Sequence, residues 1–430
     1  MRAAPHSFPL WTSPVLASAL LLAGCGVPQH TLMVAPVIYD DAGVDPLAHT
    51  DPSNRSTSEE IFFVTNRARD PGDFDRPLAY GNEPTNTLQL GMARVSFGDM
   101  ITWEELHVAT RNSKREKEIA LSLTDIWEYG RVRFDGHERI DDPTDGWSGF
   151  LDDINAELAV AHCPEIVIYV HGAKVNFYHA CMYAAQLDHF AGRDVVAIAF
   201  AWPTHQDIFR YLTGEDVSRG RDSVELFESI LRLLAHETTA RRINVVCWSA
   251  GGRVVSRALE DIGNWDEKLR SPTGESRLGA VVFAAPDVPV DEFLERLPSI
   301  HEAAERVIIT ASDDDLALSN ATFFMGHGRR MGTSMPTMPD HDREVLEALE
   351  HVEFVDVSSG RDERGFNIDG HKYWFTHPWV ASDLMLTIRT RMSAPQRGLA
   401  ATNVPNVWSF PADYPERASA AAKAALGGEW

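Results

Sequence analysis

The sequence predicts an α/β protein with a mostly parallel sheet covered by helices on both faces. Three observations carry this expectation. Short apolar, β-branched runs recur at Ile61–Val64, Leu90–Val95, Ile166–Val170, Val195–Phe200, Ile243–Cys247, Ala280–Ala284, Val307–Thr310 and Val352–Val357. They are nearly continuous rather than alternating, as strands buried on both faces require. From about residue 160 they alternate with segments whose apolar residues fall at helical spacing, such as Val224, Phe227, Ile230, Leu231 and Leu234, or Val254, Val255, Ala258, Leu259 and Ile262. At the corner between the Ile243–Cys247 run and the second of these helical patterns stands a serine among small residues, Ser249.

Composition narrows the function classes. The chain has 430 residues, enough for one large or two ordinary domains, and its 44% hydrophobic content excludes wholesale disorder. It carries 39 basic against 63 acidic residues, a formal net charge of −24. That balance argues against nucleic acid or an anionic membrane surface as the main partner. Four scattered cysteines make neither a disulfide scaffold nor a zinc ribbon, while a Cys163–Cys181 pair stays open.

Taken from the N-terminus, Arg2 precedes an apolar stretch, Phe8–Leu22, that contains Pro9 and Pro14 and runs into Leu22-Ala23-Gly24-Cys25. A short positive region, an apolar region and small residues before a cut make a secretory signal, and no other stretch suggests a polytopic membrane protein. The ending resembles the lipobox of bacterial lipoproteins. The resemblance implies a signal peptide over 1–24 and acylation of Cys25, which would hold the protein on a membrane without a spanning helix. By the same resemblance, Gly26 in place of Asp after the cysteine implies the cell envelope and an outer-membrane location facing the periplasm. Residues 25–58 then read as the lipidated cysteine and a Pro-, Asp-, Ser- and Thr-rich linker, 59–392 as the folded domain, and 393–430 as a peripheral tail with a helix candidate at Ala418–Leu426. The polar stretch 100–160, with Trp103, Trp127 and Trp147, shows no clean period.

The chemistry centres on Cys247-Trp248-Ser249-Ala250-Gly251. A sharp strand-to-helix turn exposes a serine hydroxyl above a sheet, and it needs small residues two before and two after because backbones nearly touch there. Gly251 meets that need; Cys247 stands where a first glycine is usual. Together with Phe62-Phe63-Val64-Thr65-Asn66-Arg67, Tyr169-Val170-His171-Gly172, Phe200-Ala201-Trp202-Pro203, Ala284-Ala285-Pro286-Asp287 and Gly370-His371-Lys372-Tyr373, the chain resembles the α/β-hydrolase superfamily. More narrowly, it is similar to the bacterial group called DUF900, over about residues 61–390. The resemblance implies that the N–H groups of Ala250 and Ala173 face a developing oxyanion.

The superfamily order places an acid and then a histidine after the nucleophile. Asp315, just past Val307–Thr310, is the first choice for the acid, with Asp314 second and Asp287 as a rival one strand earlier. His371 is the family match for the base, and His377, before Pro378, reads as the start of the last helix. The expectation is a serine hydrolase cleaving an ester-like acyl bond of a small-molecule or lipid substrate through Ser249, Asp315 and His371, with no metal and no organic cofactor. No P-loop, paired zinc-ligand helix or dinucleotide fingerprint competes with it. A non-catalytic envelope protein that keeps the fold is the rival class. The loop Trp202–Arg221, with Trp202, Phe209 and Tyr211, is expected to line or cover the pocket.

If Cys25 carries the anchor, Cys25→Ser abolishes both lipidation and cleavage at that residue. Detergent-phase partitioning and mass spectrometry of the mature N-terminus check this, and an unmodified N-terminus elsewhere refutes it.

Overall fold

The structure, a computed structural model, describes residues 30–426 apart from 41–42, 51, 53–54, 71–78, 141, 143–144, 266–268, 270–276, 326–327, 334–342, 345–346 and 359–369. The signal segment and Cys25 lie outside the described residues. Among the described residues, no helix is long and apolar enough to cross a membrane.

The strands are β1 (His30–Thr31), β2 (Ser58–Asp70), β3 (Ala79–Phe97), β4 (Ala120–Val132), β5 (Phe134–Asp135), β6 (Glu138–Arg139), β7 (Glu165–Val170), β8 (Val196–Phe200), β9 (Arg242–Trp248), β10 (Leu278–Ala284), β11 (Arg306–Ala311), β12 (Val352–Asp356), β13 (Ala400–Ala401) and β14 (Val407–Ser409). Apart from the small β5/β6 hairpin they form one sheet in the order β1-β4-β3-β2-β8-β7-β9-β10-β11-β12-β14-β13. It is parallel from β2 through β14 and antiparallel at both ends.

Side chains of each strand alternate between two cores. Ile166, Ile168 and Val170 of β7 join one, against the helices Trp147–Val160, Val224–Glu237 and Gly251–Asn264. Val167 and Tyr169 join the other, against Phe177–Phe190 and Pro378–Arg389. Burial on both faces is why the central strands read as unbroken apolar runs. Every predicted run falls on an observed strand to within a residue, and the mostly parallel, helix-covered sheet is as expected.

Two segments differ from expectation, and a third gains elements that its sequence did not show. Residues 30–50 are not a free linker: β1 pairs with β4, and Leu32, Met33, Ile38, Tyr39 and Val44 are buried in the core. The stretch 100–160 holds the helix Trp103–Thr110, β4 and the helix Trp147–Val160. β4 is largely half-exposed, so its polar residues hide the apolar period. The segment after 392 is integral rather than peripheral, because β14 extends the sheet beside β12 and the helix Tyr414–Leu426 buries Tyr414, Ala418 and Ala422.

A buried ion network explains why that last segment is fixed. Arg397 grips Asp383 with two bonds, Nε–Oδ1 at 2.7 Å and Nη2–Oδ2 at 3.2 Å, and reaches Glu353 Oε2 of β12 at 2.8 Å. Glu353 also accepts the Ala394 N–H at 2.7 Å. Arg397→Ala leaves two buried carboxylates without their cation and should lower stability by about 3–5 kcal/mol, read as a shift of the denaturant midpoint; an unchanged midpoint would contradict an integral tail.

Candidate active site

β7 and β9 are neighbours with Val170 opposite Cys247, so the His171-Gly172 turn and the Trp248-Ser249 turn leave the sheet side by side. Ser249 has φ +52, a left-handed conformation that side chains adopt at a cost of about 1–3 kcal/mol and that surrounding structure must impose. Three bonds impose it: the Ser249 N–H donates to Ala284 O (2.9 Å), and its carbonyl accepts from Gly252 (3.0 Å) and Asp287 (3.0 Å). A Cβ on Gly251 would lie 2.5 Å from Val170 O, and one on Gly172 would lie 3.0 Å from the Ser249 Cβ. Both glycines are thus required by the close approach of the two turns. Cys247 fills the position two before the serine as a buried wall, its Sγ 3.5 Å from Val282 O.

The His171-Gly172-Ala173 turn is held from within. The His171 Nδ1–H donates to Gly172 O (2.8 Å), its ring stacks on Trp202, and the Trp202 indole N–H donates to His171 O (2.7 Å). Burial, and then the Arg67 guanidinium, pull the His171 pKa down to about 3, so the ring is neutral and its Nε2 faces Arg67 Nη2 at 3.4 Å. The N–H groups of Ala173 and Ala250 donate to no backbone carbonyl among the described residues. Ala250 is buried beside Ser249, and Ala173 is half-buried.

Asp315 follows β11 and is fully buried. One oxygen, Oδ2, accepts the His371 Nδ1–H at 2.7 Å, and the other accepts the Leu318 N–H at 2.9 Å, capping the helix Leu316–Met325. Burial lifts the Asp315 carboxyl above the usual carboxylate range, against the opposing pull of His371 and the Leu318 N–H. With the Nδ1–H donated to Asp315, the neutral imidazole keeps Nε2 as its acceptor. The histidine loop is fastened from the serine side: the Trp248 indole N–H donates to His371 O (3.1 Å), and the two rings lie 5.3 Å apart. Gly370 has φ +57 and a Cβ there would meet Asp314 O, so glycine lets the loop close on the acid.

A family model described as an alpha/beta hydrolase of unknown function (DUF900) matches residues 150–389, more than half of the chain. The chain belongs to the DUF900 alpha/beta-hydrolase family. Among solved structures, it is similar to a dienelactone hydrolase from Anabaena variabilis at 14% identity, covering 52% of this chain and 83% of that one, with a TM-score of 0.30. A putative dienelactone hydrolase from Klebsiella pneumoniae matches at 12% identity, with 54% and 89% covered and a TM-score of 0.34. Esterase 2 from Thermogutta terrifontis, solved phosphoramylated by tabun, matches at 15% identity, with 53% and 85% covered and a TM-score of 0.29. Among curated proteins, no sequence matches.

The other candidate residues of this DUF900 hydrolase are engaged elsewhere. Asp287 is buried between Arg330 (Nε–Oδ1 3.1 Å), Arg253 (3.7 Å) and the Tyr211 hydroxyl. The Asp314 carboxylate does not take the His371 Nδ1–H, which goes to Asp315. His377 accepts the Trp379 N–H at 3.3 Å and caps the helix Pro378–Arg389, as expected of it. Cys163, Cys181 and Cys247 are free and buried. In the Trp202–Arg221 segment, Trp202 and Tyr211 are buried while Phe209 is exposed.

Several residues of the DUF900 site escape a reading of motifs. Trp248 ties the serine strand to the histidine loop, and its one sequence signal is a large aromatic directly before the serine. Arg67 reaches His171 and donates to Val175 O (2.7 Å) and Gly81 O (3.1 Å), joining β2 to the turn after β7. A second buried His–Asp pair, His205 Nδ1 to Asp216 Oδ1 at 2.6 Å, ties the Trp202–Arg221 segment together. Glu215 flanks the other ring nitrogen of His205 at 3.3 Å, so a serine finds neither nitrogen open.

Asp315→Asn should lower ester hydrolysis on the order of 10³–10⁴-fold at unchanged stability, because the amide can present its N–H and reverse the imidazole tautomer. Asp287→Asn should act instead through stability, since it unbalances Arg253 and Arg330. Steady-state kinetics beside thermal melts of both variants distinguish the two; a larger kinetic loss for Asp287→Asn at full stability would move the acid one strand earlier.

Proposed function

We propose that this protein is a serine hydrolase that cleaves an ester-like acyl bond through a covalent acyl-enzyme, anchored in the cell envelope by a lipid on Cys25. The observation that carries the catalytic reading is the left-handed Ser249 at the β9 corner, tied through Trp248 to the buried Asp315–His371 pair. A strained non-glycine residue at a strand-to-helix corner persists only where surrounding bonds enforce it, and a serine there gains an exposed hydroxyl.

In this mechanism the Ser249 Oγ attacks the substrate carbonyl as His371 Nε2 takes its proton. Asp315 holds the ring in the tautomer that leaves Nε2 basic and stabilises the imidazolium that forms. The N–H groups of Ala250 and Ala173 donate to the oxyanion, each supplying about 3 kcal/mol of transition-state stabilisation. The imidazolium then protonates the leaving alcohol. Water, deprotonated by the same nitrogen, attacks the acyl-enzyme carbonyl, and collapse of that second intermediate releases the acid and returns the proton to Ser249.

The test is a panel of p-nitrophenyl esters of rising chain length with a fluorophosphonate probe. Ser249→Ala and His371→Ala should each lose turnover by about 10³-fold or more and lose labelling, while His377→Ala keeps most activity and costs about 1 kcal/mol as a helix cap. Folded wild-type protein that the probe does not label would favour a binding protein on the hydrolase fold.

A further inference from the structure

A cavity of about 380 Å³ opens beside the helix Gly251–Asn264, and its lining combines cationic and apolar side chains. Arg221, Arg253, Arg257 and Arg330 line it together with apolar residues such as Leu212 and Phe324. Glu292 is the one carboxylate among the cavity's lining residues. It is shared, 3.5 Å from Arg257 and 2.8 Å from Arg296. Asp287, behind the wall, is likewise shared between Arg253 and Arg330. The five guanidinium groups of this cluster, the four in the lining and Arg296, thus face three carboxylates, Asp287, Glu292 and Glu260, the last 3.0 Å from Arg296, in a chain whose net charge is −24. Burial, and then the like charges of Arg296 and Arg221 against the opposing pull of Glu292 and Glu260, lower the Arg257 pKa.

We propose that this cavity is a subsite for a phosphate group carried by the substrate, an inference that rests on the serine-hydrolase reading. Guanidinium groups bind phosphate oxygens in paired, charge-assisted bonds, and a cluster of them in a concave wall concentrates the field on an anion. The burial of the side chains is graded, from Arg330 at 0% exposure through Arg253 at 15% to Arg257 at 37%. Arg257 is thus the cation most open to a ligand, while the buried Arg253 and Arg330 add their charge to the field there. The volume exceeds what a phosphate fills, and the apolar wall suits the organic part to which it is bonded. The subsite is also close to the chemistry: Arg253 follows Ser249 by four residues and stands in the first turn of the helix Gly251–Asn264. The Asp287 N–H, from the residue that pairs with both Arg253 and Arg330, bonds to the Ser249 carbonyl at 3.0 Å. The substrate class is then an acyl ester that also carries a phosphate.

The experiment uses the full chain as Ser249→Ala, which binds without turnover, and glycerol 3-phosphate as the probe in isothermal calorimetry. Saturable binding is expected, weakened at least tenfold by the added pair Arg221→Gln and Arg257→Gln, which leaves the Asp287 contacts in place. Arg257→Lys, keeping the charge but not the fork, should give a smaller loss. With Ser249 present, the same pair should lower at least tenfold the ratio of kcat/KM for a phosphate-bearing p-nitrophenyl ester over its neutral analogue. Co-sedimentation with phosphatidic acid vesicles that the pair abolishes would assign the phosphate to a lipid headgroup; glycerol 3-phosphate binding without it would assign a soluble ester. Absence of glycerol 3-phosphate binding, or binding equal in the folded arginine variants, overturns the subsite. Labelled, active wild type that fails to bind phosphate sinks the subsite alone, whereas phosphate binding to a wild type that neither labels nor hydrolyses sinks the catalytic reading.

Discussion

The site depends on how closely β7 and β9 leave the sheet. Their parallel pairing brings Val170 opposite Cys247, and the helix after Ser249 begins so near the end of β7 that no Cβ fits on Gly251. From this contact the left-handed serine follows, because the chain must reverse within a residue to place the helix there. The same contact sets Gly172 against the Ser249 side chain. The strain at Ser249 is sustained by the bonds from Ala284, Gly252 and Asp287, so three separate segments share the work of shaping one corner.

Above that corner an aromatic layer positions the histidine loop. Trp248, Tyr183, Trp374 and Phe375 meet at ring distances between 4.8 and 6.2 Å. Trp374 and Phe375 follow His371 in sequence, so the loop is buried immediately after the imidazole and cannot swing far. Tyr373 adds a polar tie, its hydroxyl 3.0 Å from the Thr310 Oγ1 at the end of β11. His371 is thus constrained from two strands by side chains that take no proton.

Much of this was legible from residues alone, and the boundary has a physical cause. The central strands are buried on both faces, so their sequences carry an unbroken apolar signal. β4 and the chain ends are half-buried, and there the signal fades. Residues 30–50 and those after 392 contain proline, glycine and polar residues, which read as connectors. Their order comes from isolated buried groups such as Tyr39 and Arg397, whose partners are distant in the chain. At the site, Ser249, Asp315 and His371 stand out because motif and order mark them. Trp248, Arg67 and the Asp287 cluster act through contacts across 42 to 123 residues of sequence, which no local pattern reveals.

Asp315 carries one further implication. Its two oxygens are committed to different tasks, one to the imidazole and one to the first turn of the Leu316–Met325 helix. Rotating the carboxylate by half a turn would exchange them, and turning it aside would uncap a helix as well as release a ring. The side-chain torsion is therefore not a free variable, and its rotational entropy is spent during folding rather than at each turnover. The direction in which the imidazole points is inherited from the axis of a ten-residue helix, a far stiffer reference than any single bond.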